Sequence, residues 1–152
     1  MNEDLVRNRK ALHIYHVLDT WEAGIALLGT EVKSLRGGHG QLQDAYVEPS
    51  GGELWLKQAN ISPYTFGTYA NHDPLRPRKL LLHRAEINKI TSRAERKGFT
   101  VIPLAIVLDA KGRIKVRIAL AEGKTQGDKR EALKERESKR EMDRLKKADY
   151  AS

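Results

Sequence analysis

Basic side chains gather at three places in this chain, at spacings that suit a row of phosphates. Arg7, Arg9 and Lys10 fall together near the N-terminus, with Asn8 between them. Lys33 and Arg36 lie close together further on, and Lys115 and Arg117 stand two residues apart. Cations two apart on a strand project side by side from one face, at roughly phosphate spacing. Any single cluster is equally well the solvated face of a helix or sheet, because such faces routinely carry Lys and Arg. All three together favour a polyanionic partner.

Other chemistries find no matching constellation. The histidines at 13, 16, 39, 72 and 83 show no HExxH spacing and no framing carboxylates, so no metal site is expected. Gly123-Lys124-Thr125 resembles the end of a phosphate loop, but Ile118 stands where that loop needs its first glycine. There is no Gly-x-Ser-x-Gly elbow to raise a serine to a nucleophile. The carboxylates lie among Lys and Arg, a pattern of surface pairing and not of acid–base work. No catalytic residue, metal or cofactor is expected, and the protein is not expected to be an enzyme.

The elements that must hold the basic residues can be read from periodicity. Ile114, Val116, Ile118 and Leu120 alternate with Lys115, Arg117 and Ala119, which predicts a strand with the cations on its outer face. Residues 100–108 supply its partner across the turn Asp109-Ala110-Lys111-Gly112. A second hairpin is predicted for 45–47 and 54–56, around Pro49-Ser50-Gly51-Gly52. A third pair is predicted for 13–18 and 24–28. In that reading His13 and Tyr15 alternate along a strand, where they would stack on bases or, for Tyr15, cap the core. A short helix is expected over 31–36 with Thr30 as its N-cap, and a longer one over 84–97 stopped by Gly98. Residues 64–79, with Pro74 and Pro77, read as an ordered loop. About six strands with few helices predict a mainly β fold, a small antiparallel barrel of the oligonucleotide-binding (OB) type.

Composition divides the 152 residues into a barrel over 1–121 and a charged tail over 122–152. The tail holds ten Lys and Arg against eight Asp and Glu, so it carries only +2 of the net +8. The positive field therefore lies mainly on the body. With so few apolar residues the tail is expected to be disordered when free. Its pairs Glu135–Lys139 and Asp143–Lys147 would support a helix once a partner supplies a surface. There is no cysteine and hence no disulfide framework. No signal peptide and no apolar run of membrane-spanning length is present. A cytoplasmic monomer is expected.

Several blocks, in this order, closely resemble the SsrA-binding protein family, also called small protein B, of bacterial trans-translation. They are Asn8 to Tyr15 (NRKALHIY), Glu22 to Ile25 (EAGI), Gly29 to Arg36 (GTEVKSLR), Asp73 to Arg76 with Arg78 to His83 (RKLLLH), Gly123-Lys124, and Asp128-Lys129-Arg130. The resemblance implies an OB-type barrel with three short helices. It implies binding to the tRNA-like domain of transfer-messenger RNA (tmRNA), where the protein stands in for the missing anticodon arm. It further implies stable association of that RNA with stalled ribosomes, contact with elongation factor Tu through the RNA complex, and a tail that folds as a helix in the mRNA channel near the small-subunit decoding region. By position, Glu22, Leu81 and Lys115 match family RNA contacts, and Asp128, Lys129 and Arg130 match a ribosome-facing motif. Charge clustering adds Arg9, Lys10, Lys33 and Arg36 to the RNA-binding set. Some family members carry His just before Asp-Lys-Arg; here Gly127 stands there and cannot stack. A generic single-strand binder is a competing reading, but aromatic residues make up only 6% of the chain, too few for stacking platforms along a groove. A nuclease would need an acidic metal cluster that the sequence lacks.

Overall fold

The computed structural model describes residues 3–64, 71–96 and 98–123. Among these are nine strands and three helices: β1 (Glu3–Arg7), α1 (Ala11–Ile14), β2 (Tyr15–Ile25), α2 (Gly29–Arg36), β3 (Gly40–Gln41), β4 (Tyr46–Ser50), β5 (Glu53–Lys57), β6 (Asn60–Ile61), β7 (Arg78–Leu81), α3 (Arg84–Ala94), β8 (Phe99–Leu108) and β9 (Ile114–Gly123). Six strands close into an antiparallel ring in the order β8-β4-β5-β7-β2-β9, with β9 returning to β8. Closure leaves no free edge around the ring, which is how small all-β domains avoid edge-to-edge association. β1 joins outside the ring along 105–108 of β8, and β3 pairs with β6 as a separate small ladder.

Alternation builds the interior. Leu54, Leu56, Leu80, Ile106, Val116, Ile118 and Leu120 point inward, and Ile87 and Ile90 of α3 pack against them. Lys115 and Arg117 point outward between buried neighbours, as the sequence predicts. A second, smaller apolar cluster of Ala11, Ile102, Ala119 and Ala121 lies on the outer side of β8 and β9, with Tyr15 and Val17 packed against it. So α1 covers one end of the outer surface, and the other end of β9 stays open.

Both predicted hairpins form. Gly51 (φ 62°) and Gly52 (φ 80°) make the two-residue turn between β4 and β5, and consecutive positive φ angles are what a tight hairpin needs. At the β8–β9 turn, the Asp109 carboxylate accepts N–H bonds from Lys111 (2.9 Å) and Arg113 (2.8 Å). The Arg113 backbone N–H, ahead of its guanidinium, holds the Asp109 carboxyl below its usual range.

Four expectations need correction. Residues 13–18 and 24–28 do not pair with each other. Residues 11–14 form α1, and 15–25 form one long strand along β9. Asp19-Thr20 looks like a turn in sequence, but a bulge between Val17 and Asp19 absorbs the irregularity. Arg93 then holds the Asp19 carboxylate at 2.8 Å. His13 therefore sits on a helix and does not alternate with Tyr15 on a strand. Second, α2 begins at Gly29, and Thr30 is not its cap: Thr30 Oγ1 hydrogen-bonds His72 Nδ1 at 2.8 Å. Third, the presumed loop over 64–79 ends in β7, which starts at Arg78 directly after Pro77. Fourth, α3 is shorter than expected and ends at Ala94. β9 runs to Gly123, two residues past the predicted limit of the body, and the expected tail beyond it lies outside the described residues.

Candidate nucleic-acid interface

Strand register assembles the site. Gly24 of β2 is paired with Leu81 of β7 on one side and with Lys115 of β9 on the other. The three therefore form one row across three strands on the outer face of the ring. Glu22 lies on the same face two residues before Gly24, because side chains alternate along a strand. Glu22, Leu81 and Lys115 are far apart in sequence, and the structure brings them to one open cleft of about 390 Å³ lined also by Gly24, Leu82, His83 and Glu86.

Each member has a distinct physical role. The Lys115 ammonium stands 3.8 Å from the Glu22 carboxylate, with the two side chains 28% and 37% exposed. A pair this long and this wet is weakly held, so both groups remain able to exchange partners. Leu81 is 49% exposed, and its inward-facing neighbour Leu80 is fully buried. Exposure alone decides nothing, since Leu12 is 68% exposed; what distinguishes Leu81 is an apolar surface set beside a carboxylate and a cation. Gly24 makes the floor. A Cβ there would come within 3.2 Å of the Leu81 Cβ, so only glycine lets β7 and β2 approach this closely without a shift.

A buried ion network fixes the start of β7 and hence Leu81. Arg78, its first residue, is wholly buried beside the equally buried Glu31 of α2. Arg78 Nη2 lies 2.6 Å and its Nε 2.7 Å from Glu31 Oε2. Arg76 donates to both oxygens of the same carboxylate, at 3.0 and 2.8 Å, and the Leu28 N–H donates at 2.8 Å. Arg78 also donates to the carbonyls of Ala59 (2.7 Å) and Pro74 (3.1 Å). Burial by itself would raise the Glu31 carboxyl, but the bonds from Arg76, Leu28 and Arg78 outweigh it and hold it below the ordinary range. His72 bridges Thr30 and the Ile61 carbonyl, each at 2.8 Å. The reading of all carboxylates as surface-paired is thus wrong for Glu31.

The remaining predicted basic residues do not join the cleft. Arg9 and Lys10 line a separate depression with Arg7 and residues 40–43. Lys33 lies 5.5 Å from the centre of the Tyr64 ring. Arg36 donates to the Gly112 carbonyl at 3.3 Å, at the turn that precedes Lys115. Arg117 reaches toward Asp4 at 3.9 Å, continuing the charged row of β9 toward β1. Asp128, Lys129, Arg130 and Gly127 lie outside the described residues. Among the described residues no group of three or more His, Asp or Glu could hold a metal ion. Charge clustering missed Gly24, His83 and Glu86; a glycine inside an otherwise regular strand was the available signal for the first.

The family described as SmpB protein matches residues 5–148. This chain belongs to the SmpB family. It is 52% identical over 148 residues to the SsrA-binding protein of Chlamydia muridarum, spanning 97% of each chain. It is 51% identical over 140 residues to the SsrA-binding protein of Thermobifida fusca, spanning 92% of this chain and 87% of that one. A solved SmpB-family chain, described as "tmRNA-SmpB: a journey to the center of the bacterial ribosome", matches with a TM-score of 0.70 and 46% identity, over 84% of this chain and 93% of that one. The family ring and its helices agree with the mainly β expectation. No described helix is long and apolar enough to cross a membrane.

Proposed function

We propose that this protein is an RNA-binding adaptor of trans-translation and not an enzyme. The outer face of β7, β2 and β9 binds the tRNA-like domain of tmRNA, and the barrel stands in for the anticodon arm that this RNA lacks. Lys115, with Arg36 nearby, neutralises backbone phosphates. Glu22 accepts hydrogen bonds from base or ribose donors, and Leu81 covers an unstacked surface. Residues 124–152, with Asp128, Lys129 and Arg130, face the small ribosomal subunit and its mRNA channel. Contact with elongation factor Tu is made through the RNA complex, and the working form is a cytoplasmic monomer. The observation that carries this reading is the meeting of Glu22, Leu81 and Lys115, three positions singled out by the family resemblance, in one cleft. The names of the relatives, SsrA-binding protein, support the choice of RNA.

The test is a gel-shift titration of the full chain with tmRNA, with elongator tRNA and single-stranded RNA of matched length as competitors at fixed, near-physiological salt. Preferential binding to tmRNA is expected. Equal binding to all three would leave a basic barrel without a specific partner.

A further inference from the structure

We infer that the cleft takes one unstacked nucleobase and that this base is guanine. The inference rests on the proposed RNA interface and specifies its ligand. A Watson–Crick edge is recognised when donors meet acceptors atom for atom. Here the Glu22 carboxylate offers two acceptor oxygens side by side, and the Lys115 ammonium, 3.8 Å away, offers a donor next to them. The pair presents acceptor, acceptor, donor. Guanine is the complement: N1–H and the 2-amino group donate together, and O6 beside them accepts. Uracil has a single N–H between two carbonyls. Adenine and cytosine set an amino group beside a ring nitrogen that would turn its lone pair toward a carboxylate oxygen.

The rest of the cleft suits a flat ring. Gly24 leaves the floor without a side chain, and the Leu81 side chain, half exposed, stands against it. The open volume of about 390 Å³ admits a base while its ribose stays in solvent. Glu86 adds a second carboxylate to the lining, which further disfavours edges made of acceptors. The contrast with Glu31 is informative. That carboxylate is fully buried beneath Arg76, Arg78 and the Leu28 N–H, so it has no face to offer a ligand. Glu22 has solvent on one side and a single loose cation on the other.

Inosine lacks only the 2-amino group, so it removes one of the two donors and keeps the rest of the edge. The experiment uses the full chain and transcripts of the tRNA-like domain of tmRNA in which each unpaired guanosine is replaced by inosine in turn. For the native chain, one position should lose affinity about tenfold, the scale of a broken bidentate base contact. The Glu22→Gln variant should bind the parent RNA about tenfold more weakly, with an unchanged melting temperature. It should then be insensitive to inosine at that one position, because the partner of the amino group is already gone. Sensitivity that persists undiminished in Glu22→Gln would show guanine read elsewhere and overturn the inference. Native binding that prefers the tRNA-like domain but ignores every inosine would overturn guanine recognition and leave the interface standing. Native binding with no preference for that domain would remove the interface and the inference with it.

Discussion

Two glutamates in this fold face cations and do opposite work. Glu31 is fully buried, and four donors from Arg76, Arg78 and the Leu28 backbone converge on it at 2.7 to 3.0 Å. Glu22 is 37% exposed, and its cation stands off at 3.8 Å. The first pair has given up all its water and depends on its partners; the second is still hydrated and can trade them. The difference separates anchoring from binding. The Glu31 network fixes the first residue of β7 so that Leu81 arrives opposite Gly24, and the Glu22 pair meets the ligand.

Breaking the anchor should cost the most. Arg78→Met leaves the Glu31 carboxylate buried with one guanidinium fewer, a situation worth about 3–5 kcal/mol. Urea unfolding should show a loss of that order, with RNA affinity falling only as folded protein is lost. If Arg78→Met melted like the native chain, Glu31 would not be the anchor described here.

The anchor also predicts an acid limb. The folded Glu31 carboxyl sits below its ordinary value of 4.5. The stability it contributes is therefore fully present above that value and is lost as pH falls through the lower, folded one. Stability measured from pH 6 downward should drop below 4.5, and the drop should be shallower in Glu31→Gln. Glu22, by contrast, should leave the acid profile of stability unchanged on replacement by Gln.

The binding face should respond more gently and in a different observable. Leu81→Ala removes an apolar surface that is 49% exposed in the free protein. Covering the open half of a leucine is worth about 1 kcal/mol, so RNA affinity should fall about fivefold, read by titration, with little change in melting temperature. A drop in stability larger than the drop in affinity would move Leu81 from the binding face to the core.

Legibility in the sequence followed locality. The strand with Val116, Ile118 and Leu120 inward and Lys115 and Arg117 outward could be read because alternation is a local signal, as could the Gly51-Gly52 hairpin. The long β2 could not, because Asp19-Thr20 carries turn chemistry and only Arg93, distant in sequence, keeps Asp19 on a strand. Glu31 and Arg78 were invisible as a buried pair for the same reason: nothing near either residue says that its charge is matched 47 positions away. Charge clustering found Lys115. Glu22 and Leu81 came from the family resemblance, and their meeting with Lys115 depends on a register across three strands that no local pattern states.

The most direct test of the claim that the exposed face, and not the buried network, binds RNA is Lys115→Glu, measured for tmRNA affinity and for melting temperature in the same buffer. The substitution removes a phosphate partner and sets a second carboxylate beside Glu22, on a side chain that supports no core. Affinity should fall about tenfold or more, the salt dependence of binding should weaken, and the cooperative melt should stay within about 0.5 kcal/mol of the native chain. Undiminished affinity for tmRNA with an intact fold would contradict the account.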